Sequence, residues 1–112
     1  MQIIRAKINE ILEEAKKDYG IGDKIKVVLK PMKVKAASVS LKKGIVRLNK
    51  NLVDSEDDVL LRYLIYHELA HYKLKSKYHT RDFYELLYSK IGREQAVAAE
   101  EKIIRRFTEI RD

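Results

Sequence analysis

Two histidines and a glutamate make up the segment of this chain best suited to chemistry, His67-Glu68-Leu69-Ala70-His71. Side chains four positions apart lie on the same face of an α-helix, so both imidazoles can bind one metal ion. Zinc accepts imidazole nitrogens at about 2.0–2.1 Å, and a hydrolytic site leaves its fourth position to water. Glu68 would then take a proton from that water as it attacks a carbonyl carbon, and return it to the leaving amine. The pattern predicts Zn2+-dependent hydrolysis of peptide bonds, with Glu68 as general base.

A third metal ligand must come from outside this motif. The sequence favours His79, which lies eight positions after His71, beyond a polar stretch where the helix can end and the chain can turn back. Thr80 fits the N-cap of a following short helix, which would hold His79 at its start and facing the metal. The predicted metal ligands are therefore His67, His71 and His79.

Carboxylates of the last segment are the alternative. Glu94 is the best of them as a third ligand, because its distance from His71 along the chain is similar to the glutamate spacing of thermolysin-like enzymes. A different class of function, a non-catalytic zinc-binding module, also stays open. With three histidines in the chain, a closed structural site would need Glu94, Glu100 or Glu101 as its fourth ligand.

Length and composition limit the rest of the molecule. A chain of 112 residues with 46% hydrophobic content supports one core, so we expect a single domain over residues 1–112. It has no cysteine and therefore neither disulfide bonds nor thiolate ligands. No signal peptide or membrane-spanning run is recognisable, which predicts a soluble, cytoplasmic protein. The 37% charged residues are typical of a thermophile.

The remaining pattern predicts an α+β fold. An apolar stripe from Ile4 to Tyr19 predicts an N-terminal backing helix that ends at Gly20. Residues 25–29, 34–41 and 45–48 read as strands of a small three-stranded, mostly antiparallel sheet. The apolar segment 59–70 predicts a buried helix carrying the histidine motif. Its N-cap is expected at Asp54 or Ser55.

After the short helix, which we expect to run to about Ile91, a last amphipathic helix is predicted from about Arg93 to Ile110. Its apolar stripe, which must be buried somewhere, consists of Ala96, Ala99, Ile103, Phe107 and Ile110. It could complete the core. It could instead lie across the cleft, in its own subunit or exchanged with a neighbour's. The hypothesis for segment 93–112 is a latent, zymogen-like form with self-association.

The order of elements, the motif Tyr66-His67-Glu68-Leu69-Ala70-His71 and the downstream His79 resemble the minigluzincins, minimal soluble zinc metallopeptidases related to membrane-embedded gluzincin peptidases. The resemblance spans essentially the whole chain. It implies a histidine third ligand, which supports His79, and a C-terminal segment that keeps the enzyme latent by covering its cleft.

His79 and Phe83 also resemble the His-x-x-x-Phe pattern of Wss1/SprT-like peptidases, although the spacing from His71 differs from theirs. A protease acting on DNA-associated proteins is therefore the alternative enzyme. The net charge of +7 and pI near 9.5 make nucleic acid a weakly supported partner.

The substrate partner implied by a peptidase is a peptide or protein bound in extended form. The resemblance implies that the strand before the active helix pairs with the substrate, and residues 39–41 or 45–48 would supply that strand edge. Tyr72, Tyr78 or Tyr84 could donate a hydrogen bond to the oxyanion, and the sequence does not choose among them.

Overall fold

The computed structural model describes residues 2–111, and the side chains of residues 3–108. Met1, Asp112 and the side chain of Ile110, which belong to predicted segments, lie outside this description. The elements, in chain order, are α1 (Gln2–Tyr19), β1 (Lys26–Lys30), β2 (Ala37–Ser40), β3 (Ile45–Asn49), α2 (Asp58–Leu74), α3 (Arg81–Lys90) and α4 (Arg93–Arg111). The predicted α+β class and order of elements are confirmed.

The sheet is mixed, with the strand order β1-β3-β2. The hairpin between β2 and β3 is antiparallel, and it turns at Gly44, whose φ of 65° suits glycine. However, β1 pairs with β3 in parallel, with Lys26 beside Ile45, where a mostly antiparallel sheet was expected. The chain passes from β1 to the far edge of the sheet before it forms the hairpin, so β3 lies between β1 and β2. An alternating apolar pattern in the sequence does not determine the order of the strands in the sheet.

Helix α2 is the centre of the fold. It packs against α1, α3, α4 and the sheet, and most of its circumference is buried. Its N-cap is Asp57, whose carboxylate accepts a hydrogen bond from the Leu60 N–H at 3.1 Å. The cap was expected at Asp54 or Ser55, but Asp54 instead accepts from the Glu56 N–H in the preceding turn, at 2.8 Å. This turn leaves Asp57 to cap the helix.

The two halves of α4 differ in burial. Ala96 and Ala99 are almost completely buried and complete the core, whereas Ile103 and Phe107 are only partly buried against it. Along the described residues, no helix is both long enough and apolar enough to cross a membrane.

Candidate active site

The three histidines meet at one point in the structure. His79 Nε2 lies 3.2 Å from His67 Nε2 and 3.2 Å from His71 Nε2. Within the described residues, these three form a group of side chains that could hold a metal ion. Bonds of about 2.0–2.1 Å to a tetrahedral zinc place two ligand nitrogens about 3.3 Å apart. The two distances at His79 fit a tetrahedral metal ion, and the ligand atoms of all three histidines lie within 4.8 Å of one another.

Two helix ends bring His79 to the other imidazoles. Helix α2 carries His67 and His71 on successive turns and ends at Lys75, whose left-handed backbone (φ 52°, ψ 40°) reverses the chain. Helix α3 begins after Thr80, whose hydroxyl accepts a hydrogen bond from the Phe83 N–H at 3.2 Å. The predicted N-cap at Thr80 is thus present, and His79 directly precedes it.

The outer ring nitrogens of two histidines have defined partners. Nδ1 of His71 donates to the Ser76 carbonyl at 2.8 Å, so its Nε2 presents a lone pair to the other rings. Nδ1 of His67 lies 3.2 Å from the hydroxyl of Tyr63, which in turn donates to Glu100 at 3.0 Å. None of these three partners was predicted from the sequence. The four-residue spacing of Tyr63 and His67 was the one signal visible in the sequence. The carbonyl of Ser76 leaves no such signal, because every residue type has a backbone carbonyl.

Burial keeps the imidazoles of His67 and His71 neutral. It lowers the pKa of His67 to about 3, helped by the charges that His71 and His79 would carry. Burial also lowers the pKa of His71, although the bond to the Ser76 carbonyl opposes this. Since a metal ion binds only the neutral imidazole, these two side chains are ready to bind at neutral pH.

Glu68 is buried, with 7% of its surface exposed, and it faces the cleft beside the histidines. Its Oε2 lies 4.0 Å from His67 Nε2. Burial raises the pKa of Glu68 to about 7, although the positive charge of Lys35 opposes the shift. A carboxyl group with this pKa can both accept and release a proton near neutral pH.

The histidines and Glu68 line a cleft of about 370 Å³. One wall is the edge strand β2 with the residues before it, and the opposite side is formed by α2 and the loop of His79. Ile103 of α4 also lines the cleft, as does Lys77. The cleft is open and borders a strand edge, which suits an extended chain.

The glutamates considered as alternative ligands lie elsewhere. Glu94 and Glu101 line a separate surface groove on α4, with Arg93 and Val97. Glu100 is near the site but bonds to Tyr63. Among the suggested oxyanion donors, Tyr72 donates its hydroxyl to Asp23 at 2.6 Å, while Tyr78 is 64% and Tyr84 39% exposed.

Comparisons with known proteins agree with this geometry. Residues 1–100 match the YgjP-like metallopeptidase domain. The chain is 38% identical over 99 residues to the uncharacterized protein MJ0123 of Methanocaldococcus jannaschii, which covers 88% of this chain and 90% of that protein.

Two crystal structures have the same fold. The metallopeptidase zymogen of Methanocaldococcus jannaschii jannalysin matches with a TM-score of 0.78 and 38% identity, over 89% of each chain. The metallopeptidase zymogen of Pyrococcus abyssi abylysin matches with a TM-score of 0.77 and 30% identity, over 88% of this chain and 93% of that one. These matches confirm the resemblance to minigluzincins, and the chain belongs to the YgjP-like metallopeptidase family.

Proposed function

We propose that the chain is a zinc metalloendopeptidase in which His67, His71 and His79 bind Zn2+ and Glu68 is the general base. The observation that supports it most is the convergence of three Nε2 atoms, with two distances of 3.2 Å at His79. His71 is buried and His67 half-buried, and burial lowers the pKa of both rings, so both are neutral at neutral pH. A donor set of imidazoles alone suits zinc better than calcium or magnesium, which prefer oxygen ligands.

Glu68 supplies the proton transfers of the reaction. Bound to the histidines, Zn2+ would polarise the scissile carbonyl group and lower the pKa of a water molecule at the site. Glu68 accepts a proton from the water molecule that attacks the carbonyl carbon, and it passes this proton to the amine nitrogen that leaves as the C–N bond breaks. Its burial excludes bulk water and raises its pKa to about 7, which suits both steps.

The substrate is a peptide or protein that lies along β2 as an additional strand. β2 is an edge strand, so one side of Ala37–Ser40 has N–H and C=O groups available for pairing. Main-chain pairing of this kind gives affinity that depends little on sequence. Side chains of the substrate would meet Val39 and Leu41 within the cleft.

Segment 93–112 is proposed to keep the enzyme latent. Ile103 occupies part of the cleft wall, and the helix is fastened beside it by Lys102, which bonds to Asp57 at 2.7 Å. Arg106 adds a bond to the Leu52 carbonyl and lies 3.5 Å from Asp57. The related jannalysin and abylysin structures are both zymogens, which supports a latent form. Ile104, 66% exposed on the same helix, would serve the proposed self-association.

Metal content tests the site. Purified wild type should hold near one zinc per chain, and His71→Ala and His79→Ala, checked to be folded by circular dichroism, should lose it. Glu68→Gln should keep the zinc. In a form lacking residues 103–112, the same substitution should lower the rate of peptide hydrolysis by about 10²–10⁴-fold relative to the truncated form with Glu68. Glu85→Gln, an exposed α3 glutamate, is the matched control. A wild type that binds no zinc after reconstitution would contradict the proposed site, and an unchanged Glu68→Gln rate would exclude the proposed base.

A protease acting on DNA-associated proteins is the second candidate. A groove at the opposite edge of the sheet, beside β1, is lined by Arg5, Lys24, Lys26 and Lys43. Four cations around one groove favour a polyanion as partner. Double-stranded DNA should then bind with an affinity that falls steeply with salt, and Lys24→Gln/Lys26→Gln should weaken it. Salt-independent or undetectable binding would remove this candidate.

A further inference from the structure

We propose that Tyr63 and Glu100 are positioning residues for His67, so that α4 supports the metal site as well as bordering the cleft. The proposal rests on the proposed function of His67 as a metal ligand. The Tyr63 hydroxyl lies 3.2 Å from His67 Nδ1 and 3.0 Å from Glu100 Oε1. These contacts join a ligand on α2 to a carboxylate 37 positions after Tyr63.

The chemistry of the three groups fixes the direction of both hydrogen bonds. An ionised carboxylate only accepts, so the Tyr63 O–H must donate to Glu100. The hydroxyl oxygen is then left as an acceptor, and it takes the hydrogen bond from the His67 Nδ1–H. His67 Nε2 is consequently unprotonated, and its lone pair is directed at the point where His71 and His79 meet. The carboxylate thus selects the tautomer that can bind a metal ion.

The position of Glu100 on α4 is held by the core. Ala96 and Ala99, on the turn before it, are 0% and 1% exposed, so this part of the helix is fixed against α2. Tyr63 is itself buried, with 5% of its surface exposed. The part of α4 up to Glu100 therefore supports the metal site, whereas the part from Ile103 onwards borders the cleft.

A second tyrosine of α2 makes it possible to distinguish a purely structural role of such a contact from a role in positioning a metal ligand. Tyr66 on the same helix donates its hydroxyl to the Asp18 carboxylate at 2.6 Å and is 1% exposed. This bond tethers α2 to α1 without touching a ring nitrogen of any histidine. Tyr66→Phe thus removes the same kind of tyrosine–carboxylate bond and is a matched control.

The test is the zinc dissociation constant of the full chain, measured by competition with a chelator. Tyr63→Phe and Glu100→Ala should bind zinc about 10–100-fold more weakly than wild type. Glu100→Gln should retain most of the affinity, because its amide oxygen still accepts from Tyr63. Tyr66→Phe should lower the melting temperature and leave the dissociation constant within about twofold, since it touches no ligand.

A second readout follows the His67 ring directly in the metal-free chain. Nitrogen-15 NMR of the imidazoles should show the Nδ1–H tautomer of His67 in wild type. In Glu100→Ala the freed Tyr63 hydroxyl can donate to Nδ1, so the ring should shift towards the Nε2–H tautomer. An unchanged tautomer together with unchanged zinc affinity in Tyr63→Phe and Glu100→Ala would overturn the proposal while leaving the zinc site intact. A wild type without zinc affinity would instead overturn the site and, with it, this role.

Discussion

The ring of Phe83 is stacked on the ring of His71, with centroids 4.4 Å apart and planes inclined by 25°. The same phenyl ring meets His67 at 4.9 Å and His79 at 5.0 Å edge to face. Phe83 is completely buried on α3. One apolar side chain therefore underlies all three imidazoles and limits how far each can rotate.

Replacing Phe83 should accordingly weaken zinc binding by more than the loss of folding stability alone would explain. Phe83→Leu should weaken zinc binding by about tenfold, because the three rings lose their common packing surface. Leu87→Ala, a truncation at another fully buried position of α3, should lower the free energy of unfolding by about 2–5 kcal/mol without a comparable change in zinc affinity. Chelator competition and urea unfolding measure the two effects. Equal zinc affinities in Phe83→Leu and wild type would contradict the packing argument.

Much of the fold and the arrangement of the site could be predicted from local patterns. The four-residue spacing of His67 and His71, and the cap residue Thr80 after His79, are short-range features, and the structure brings these histidines together as expected. Their roles as ligands remain predictions. Segment lengths and apolar periodicity were enough for the α+β class and for the order of the elements.

Features that depend on contacts between distant segments were not predictable in this way. Tyr63 and Glu100 meet only because α4 packs against α2. Likewise, the parallel pairing of β1 with β3 depends on the path of the chain between β1 and β2. The partner of His71 Nδ1 is a backbone carbonyl, which any residue at position 76 could supply.

Asn49 should be indispensable for the segment that leads into β2. Its side chain is completely buried, and its amide nitrogen donates to the carbonyls of Met32 and Lys35 at 3.0 and 2.9 Å. Asn49→Asp has no donor for these two carbonyls and places a carboxyl oxygen against them. The free energy of unfolding should fall by about 2–4 kcal/mol in urea titrations. Asn51→Asp, which adds the same charge at an exposed position, should change it by less than about 0.5 kcal/mol. Equal stabilities of the two variants would contradict this role.

Asp57 should make the attachment of α4 sensitive to acid. Burial alone would raise the pKa of Asp57, but the hydrogen bonds from Lys102 and the Leu60 N–H, with the charges of Lys102 and Arg106, lower it overall. A folded-state pKa below the unfolded value of about 3.9 means that this stabilisation is complete above about pH 4 and is lost as pH falls through the folded pKa.

The measurement is the free energy of unfolding of wild type and Asp57→Asn at pH 7 and pH 3. Asparagine still caps the helix, so the substitution mainly removes the charge. Wild type should lose about 0.5–1 kcal/mol more than Asp57→Asn between the two pH values. Asp54→Asn is the control, since Asp54 forms no ion pair in the part of the chain that the structure describes. A pH response of Asp57→Asn as large as that of wild type would count against the ion pair.

The two proposed roles of α4 can be separated by two truncations, which should differ in their affinity for zinc. A chain ending at Lys102 keeps Glu100 and the buried Ala96 and Ala99, but loses Ile103 from the cleft wall. It should bind zinc like wild type and hydrolyse peptides faster. A chain ending at Ala99 opens the cleft equally but lacks the Glu100 carboxylate, so it should bind zinc about 10–100-fold more weakly.

Both truncations must be shown to be folded, and the full-length variant Lys102→Ala/Arg106→Ala releases the helix from Asp57 and Leu52 without removing any residue. This variant should also gain peptidase activity while keeping its zinc. If the chain ending at Lys102 binds zinc and gains no activity, α4 does not hold the enzyme latent. If the chain ending at Ala99 binds zinc as tightly as the longer one, Glu100 does not position His67. Because each result concerns a different part of one helix, the border of the cleft and the support of the metal site can fail separately.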